Sequence, residues 1–179
     1  MTDSNTTTSS SGDGGSTATT KGDESGQIQL VTFEVGSEEF GVDILSVHEI
    51  NRMMEITQVP ESADCVEGVV NLRGRIIPVL DLRKRFGMPA VERTVHHRII
   101  VVEVEGRTIG FVVDRVHEVL RIDASIVEEA PDVVKSNVDG AYIDGVGMLE
   151  ERLLILLNLN RLFDFSSLDA AESTVREAA

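Results

Sequence analysis

Two stretches of the chain decide the fold: residues 68–86, GVVNLRGRIIPVLDLRKRF, and residues 145–163, GVGMLEERLLILLNLNRLF. In each, a two-residue polar turn interrupts an apolar run, Arg73-Gly74 in the first and Glu150-Glu151 in the second. Apolar runs of this length on both sides of a turn are typical of a buried β-hairpin. Asp81 and Asn158 follow the second run and are good helix N-caps. Each stretch therefore predicts a hairpin followed by a short helix.

The two stretches belong to an internal repeat. They coincide at seven of nineteen positions when the chain is aligned with itself at an offset of 77 residues. A second block, Phe33–Ile50, coincides with Val102–Val119 at six of eighteen positions at an offset of 69 residues. Two matching blocks in the same order indicate a duplication. Because the blocks alternate mostly with period two, the sequence predicts an all-β protein with short helices.

The repeat predicts two pseudo-symmetric units, about 28–90 and about 98–167, within a folded region 27–168. Units this small bury too little surface to be stable alone, so they should pack together across a shared apolar seam. Closing each unit as a barrel of about five strands removes exposed strand edges. Residues 1–26 contain 21 Ser, Thr, Gly or Asp, which predicts a disordered tail, and residues 169–179 form a C-terminal end.

Composition argues against several classes of function. Residues 27–168 hold 24 acidic and 14 basic side chains, a net charge of −10, which disfavours nucleic acid. Cys65 is the only cysteine, and the sequence has no Cys/His cluster that could bind a metal. It also has no catalytic-nucleophile motif and no phosphate-loop motif, so we expect neither an enzyme nor a cofactor. The longest fully apolar runs have five residues, far short of a membrane span. We therefore expect a cytoplasmic binding protein without direct membrane insertion.

Differences between the two copies point to function. Arg73-Gly74 in the first hairpin becomes Glu150-Glu151 in the second, so the charge at the turn is reversed. Arg73 is thus a candidate contact residue, although a solvated turn arginine is equally compatible with the pattern. Five basic residues cluster nearby and could form a site for an acidic protein surface or a charged helix facing water; they are Arg73, Arg75, Arg83, Lys84 and Arg85.

Two segments carry a family resemblance. Residues 40–50, FGVDILSVHEI, and residues 68–83, GVVNLRGRIIPVLDLR, resemble the CheW family of bacterial chemotaxis coupling proteins. The similarity extends over about 27–168. It implies two SH3-like five-stranded barrels and a non-catalytic adaptor that couples the cytoplasmic tips of methyl-accepting chemoreceptors to the regulatory domain of the histidine kinase CheA. The alternatives are a coupler of a parallel pathway, such as twitching motility or developmental signalling, and a β-barrel binding module unrelated to signalling.

The resemblance also leads to two predicted contact surfaces. A receptor helix should bind in the groove between the barrels, on a surface formed by Ile44, Val47, Glu49, Asn71 and Arg73. The kinase should bind an apolar patch on the strand Ile76–Leu80 and the residues after it, through Ile76, Pro78, Val79, Asp81 and Arg83. Pro78 lacks an N–H group, so its strand is expected at a sheet edge or a bulge.

Overall fold

A computed structural model describes residues 26–60, 62–135 and 138–163. The predicted tail, apart from Gly26, and the C-terminal end 169–179 lie outside these ranges. The strands are β1 Gln27–Val35, β2 Glu38–Asp43, β3 Val47–Arg52, β4 Val66–Leu72, β5 Arg75–Asp81, β6 Arg98–Val104, β7 Arg107–Val113, β8 Arg115–Asp123, β9 Val127–Glu128, β10 Ile143–Leu149 and β11 Arg152–Leu157. The α-helices are α1 Leu82–Arg85, α2 Asp132–Lys135 and α3 Leu159–Leu162, and 3₁₀ turns span Ile44–Ser46, Ala124–Ile126 and Gly140–Tyr142.

The strands form two pseudo-symmetric sheets, which we call the first and second barrels. The first barrel has the order β3-β6-β7-β5-β4, and the second has the order β8-β1-β2-β11-β10-β9. The sixth strand of the second barrel, β9, has two residues, and a single bridge between Thr57 and Val69 takes its place in the first. The predicted class, all-β with short helices and two barrels, is confirmed, and the second barrel has the two-residue β9 as a sixth strand beyond the predicted five.

The predicted division of the chain into barrels 28–90 and 98–167 needs correction. Hairpin β1–β2 comes from the first half of the chain but lies in the second barrel, between β8 and β11. Hairpin β6–β7 comes from the second half and lies in the first barrel, between β3 and β5. Two copies of one sequence offer the same strand edges, so a hairpin can complete either copy. The repeat therefore could not indicate that the halves exchange their first hairpins.

The predicted apolar seam is the largest cluster of buried side chains among the described residues. It takes side chains from both halves, with Phe33, Phe40 and Phe111 fully buried at its centre. The Phe33 ring centroid lies 5.9 Å from that of Phe40 and 5.5 Å from that of Phe111. Smaller clusters fill the two barrels, one around Val79 and one around Leu154. Strands such as β5 and β6 contribute to a barrel and to the seam, so both of their faces are covered.

The helix caps predicted from the repeat are confirmed. The Asp81 side chain accepts a hydrogen bond from the N–H of Arg83 at the start of α1, at 2.9 Å. The Asn158 side chain accepts one from the N–H of Arg161 in α3, at 3.1 Å. These caps end β5 and β11 at equivalent points and turn the chain along the seam.

Pro78 does not lie at a sheet edge, because β5 runs between β4 and β7. Its partner on β4 is Val69, whose N–H and C=O are both bonded to Thr57 on the other side, each at 2.9 Å. The pairing with β7 begins one residue later, at Val79. A proline is tolerated in this interior strand because no ladder bond needs its N–H.

The repeated glycines Gly68 and Gly145 allow a neighbouring segment to lie close against each barrel, the bridge residue Thr57 in the first and strand β9 in the second. A Cβ on Gly68 would lie 2.1 Å from the carbonyl oxygen of Thr57. A Cβ on Gly145 would lie 2.7 Å from Cγ1 of Val127 and 2.8 Å from the carbonyl oxygen of Glu128. Identity at this position therefore reflects a backbone contact that both barrels share.

Replacing Gly145 by Ala should lower the free energy of unfolding by about 2 kcal/mol, because backbone atoms of β9 must move to admit the methyl group. Gly147→Ala on the same strand is the matched control, since its Cβ would meet Ile122 Cδ1 at 3.8 Å, an ordinary contact. Urea unfolding of both variants measures the difference. Equal stability of the two would contradict the close approach.

Candidate functional site

An ion pair between Glu49 and Arg73 spans the end of the first barrel. Glu49 lies on the edge strand β3 and Arg73 at the turn of hairpin β4–β5, so the pair links opposite ends of the sheet. The contact is bidentate, with Nη2–Oε2 at 2.9 Å and Nη1–Oε1 at 3.2 Å. The side-chain oxygen of Asn71 accepts a hydrogen bond from the N–H of Gly74 at 2.9 Å, which stabilises the turn. We call Glu49, Asn71 and Arg73 the hairpin clamp.

The second barrel has a clamp of different composition. Glu118, the repeat equivalent of Glu49, binds Arg152 at 2.9 Å. This hydrogen bond raises the pKa of Arg152. In the first barrel the equivalent of Arg152 is Arg75, which donates to the hydroxyl of Thr108 at 3.3 Å instead. In each barrel the equivalent glutamate, Glu49 or Glu118, thus pairs with an arginine from a different position. In the first barrel that arginine lies at the hairpin turn, and in the second it lies on β11.

The 3₁₀ turn before β3 presents an apolar side chain that sequence reasoning missed. Asp43 accepts the N–H of Leu45 at 2.9 Å and fixes the turn. Leu45 is then 81% exposed, whereas Ile44 and Val47 are half-buried against the seam. The repeat contained a signal for this residue. The position is apolar in the first copy, as Leu45, and charged in the second, as Asp114.

Beside Leu45 lies a groove of about 400 Å³ between the two barrels. The β1, β2 and β11 strands line one side, and the β6–β7 turn lines the other. Four carboxylates lie along it, those of Asp43, Glu103, Glu105 and Asp144. Its chemistry fits a partner that presents apolar and basic side chains together.

The structure contradicts most of the predicted apolar patch on β5. Ile76 is 46% exposed, but Pro78 and Val79 are buried because β5 is covered on both faces. Asp81 is also buried, where it caps α1 and binds Arg93 at 3.0 Å. Of the residues assigned to this patch, Ile76 is the one with an exposed apolar side chain.

The basic residues of α1 bind within the chain and do not form the positive surface considered from the sequence. Each has an internal partner: Arg83 binds Asp114 through two hydrogen bonds of 2.6 and 3.0 Å, Lys84 binds Glu67 at 2.8 Å, and Arg85 donates to the carbonyl of Leu162 at 2.9 Å. Arg83, also assigned to the kinase surface, is thus a positioning residue for α1.

Asp114 joins three elements at this point. Its carboxylate accepts from Arg83 and from the N–H of Gly36 in the β1–β2 turn, the latter at 2.9 Å. Its own N–H donates to the carbonyl of Glu34 at 3.0 Å. Burial alone would raise the pKa of Asp114, but the hydrogen bonds from Arg83 and Gly36 bring it below its ordinary value. The carboxylate therefore remains charged and bound to both donors.

His97 packs against this junction and is 3% exposed. Its Nδ1 accepts the N–H of Thr94 at 2.9 Å, and its Nε2 lies 3.5 Å from the Asp114 carboxylate. Burial lowers the pKa of His97, and Asp114 opposes the shift while Arg93 and Arg83 add to it. The ring is therefore neutral near pH 7, since protonation at Nδ1 would also displace the Thr94 donor.

Two barrels with exchanged hairpins and a groove between them define a binding module of the adaptor class. The chain belongs to the family of the CheW-like domain, whose model matches residues 29–166. No group of three or more metal-binding side chains occurs among the described residues. Their helices also lack the length and apolar character of a membrane span.

Individual relatives agree with this assignment. The chain is 36% identical over 146 residues to chemotaxis protein CheW of Rhizobium meliloti (strain 1021), covering 82% of this chain and 94% of that protein. It is 34% identical to chemotaxis protein CheW of Klebsiella aerogenes, covering 87% and 92%. The crystal structure of scaffolding protein TtCheW from Thermoanaerobacter tengcongensis superposes with a TM-score of 0.71 at 39% identity, covering 76% of this chain and 88% of that one. The predicted family and the role of chemotaxis adaptor are confirmed.

The lowered pKa of His97 predicts a pH-dependent stability. As the pH falls below about 6.5, the unfolded chain takes up a proton on this histidine that the folded chain does not, so stability decreases. Above that pH the histidine contributes no such dependence. We expect His97→Gln to lose less stability between pH 7 and pH 5 than the unmodified protein, measured by urea unfolding at each pH. His96→Gln, an exposed neighbour, should retain the original dependence, and an unchanged dependence in His97→Gln would contradict the neutral buried ring.

Proposed function

We propose that this chain is a cytoplasmic, non-catalytic adaptor that couples the cytoplasmic tips of methyl-accepting chemoreceptors to the histidine kinase CheA. The groove between the barrels carries the proposal. It is bordered by strands of both barrels and has Leu45 exposed at its rim, which suits a helix laid along it. A receptor tip is a helix bundle, and a helix in this position would touch both barrels at once.

The receptor surface combines this groove with the hairpin clamp. Strand β3 connects the two, since it begins at Val47 beside the groove and carries Glu49 of the clamp. Ile44 and Val47 pack against the seam on either side of Leu45 in the chain, and Glu49, Asn71 and Arg73 supply polar contacts that fix the register of the helix. Movement of the bound helix would then act on both barrels.

The kinase surface lies on the outer face of the first barrel, around Ile76. Ile76 pairs with Asn71 across hairpin β4–β5, so this surface adjoins the clamp. The regulatory domain of CheA is itself a CheW-like fold, and we propose that it packs its side chains against Ile76. Pro78 and Val79 are buried, and Asp81 and Arg83 are bound within the fold, so we leave all four out of the kinase surface.

Leu45→Asp should weaken binding of a receptor cytoplasmic fragment at least tenfold, because it adds a fifth carboxylate to an acidic groove and removes an apolar contact. Stability should change by less than about 0.5 kcal/mol, since the side chain is exposed. Val95→Asp is the matched control, because Val95 is 85% exposed and lies on the linker before β6. Titration calorimetry measures both, and equal affinities would remove the groove from the receptor surface.

Exchanging the clamp charges separates a structural role from a contact role. Arg73→Glu alone should cost at most about 1 kcal/mol of stability, because the pair is exposed. The double variant Glu49→Arg with Arg73→Glu restores the ion pair and should recover that stability. If the receptor contacts Glu49 and Arg73 directly, receptor binding stays weak in the double variant. Recovery of binding together with stability would show that the clamp acts only by holding the barrel end.

Ile76→Glu should weaken binding of the CheA regulatory domain at least tenfold while thermal stability stays unchanged. Val91→Glu is the control, because Val91 is 44% exposed against 46% for Ile76 and lies on the linker instead of the barrel. Pull-down with kinase and receptor fragments separately tells which partner is lost. Unchanged kinase binding in Ile76→Glu would place the kinase elsewhere.

A further inference from the structure

The strand pairing makes the two halves of the chain dependent on each other. Within the first half, the named strands pair only as the hairpins β1–β2 and β4–β5, and β3 has its strand partner in the second half. Four strand pairings cross between the halves: β1 with β8, β2 with β11, β3 with β6, and β5 with β7. Alone, the first half would keep two separate hairpins, and the second half would keep hairpin β6–β7 and the strands β9–β10–β11 while β8 loses its strand partner. Because such small units are marginally stable in water, we expect neither half to fold alone.

Polar side chains also join the first half of the chain to the second. His48 on β3 binds Glu103 on β6 at 2.7 Å, and His117 on β8 binds Glu34 on β1 at 3.1 Å. The two pairs are repeat equivalents, and each joins one half to the other. The seam also takes buried side chains from both halves, so the two halves share one apolar core.

A single segment, residues 86–97, connects the halves covalently. It is anchored near its start, where Met88 donates its N–H to the carbonyl of Arg83 at 2.8 Å, and further on, where Arg93 binds Asp81 at 3.0 Å. Residues 89–92 between these anchors are exposed. Each of the four strand pairings between the halves could equally form between the first half of one copy of the chain and the second half of another copy.

We propose that two copies of this chain can exchange halves, so that the first half of each copy completes both barrels with the second half of the other. The partner is a second copy of this chain. The pairings β1–β8, β2–β11, β3–β6 and β5–β7 form its interface. The segment 86–97 keeps the exchange within one chain, because a short linker holds the halves at an effective concentration in the millimolar range, above ordinary protein concentrations. Shortening this linker shifts the balance to the dimer.

Deletion of residues 89–92 tests the proposal. The deletion removes up to about 14 Å of reach from the segment that joins α1 to β6, so closure within a single chain becomes harder. We expect a dimer by light scattering, with native circular dichroism and a native-like urea transition. Insertion of four Gly/Ser residues at the same place should leave a monomer. A folded, monomeric deletion variant with native stability would overturn the proposal.

A second experiment applies even if the deletion variant fails to fold. A protease site replaces residues 89–92 in the full chain, and the folded protein is cut there. The two pieces should remain together on size exclusion, and each should be unfolded when purified alone. Two differently tagged cut samples, mixed at the urea midpoint and refolded, should yield hybrids with one tag of each kind. Pieces that fold separately, or that never form hybrids, would refute the exchange.

Discussion

The parallel pairing of each exchanged hairpin with the other half of the chain is the contact on which the structure depends. β2 pairs with β11 at Gly41 and Leu156, and β7 pairs with β5 at Gly110 and Val79. A Cβ on Gly110 would lie 3.0 Å from the Ile99 side chain and 3.3 Å from that of Val79. The glycines at these equivalent positions let each hairpin lie close against its neighbours. The aromatic seam takes Phe33 and Phe40 from one hairpin and Phe111 from the other, so it needs both hairpins.

Two exposed residues of the candidate binding surfaces lie at positions where the pseudo-symmetry fails. Matching residues, such as Gly68 with Gly145, serve contacts that both barrels need. Arg73 and Leu45 have no matching residue in the second half, and both are exposed. A duplicated fold thus supplies two similar frames, and substitutions in one copy make the two exposed surfaces chemically different.

The charged residues of α1 and those of the hairpin clamp have different roles. The basic residues of α1 bind Asp114, Glu67 and the carbonyl of Leu162, which fixes the helix against β4, α3 and the carboxylate that also binds the β1–β2 turn. The clamp residues Glu49 and Arg73 are paired near water, where an ion pair contributes little stability. The first group therefore acts on the fold, while the second remains available to a partner at small energetic cost.

The sequence by itself determined the all-β class, the repeat, the helix caps at Asp81 and Asn158, and the family, because these depend on local patterns and on residues that match. The tertiary structure alone decided which half completes each barrel, since the two copies offer equivalent edges. It also decided that Val79 is interior and Leu45 exposed. Burial depends on what packs against both faces of a strand, and alternation along one strand cannot reveal the second layer.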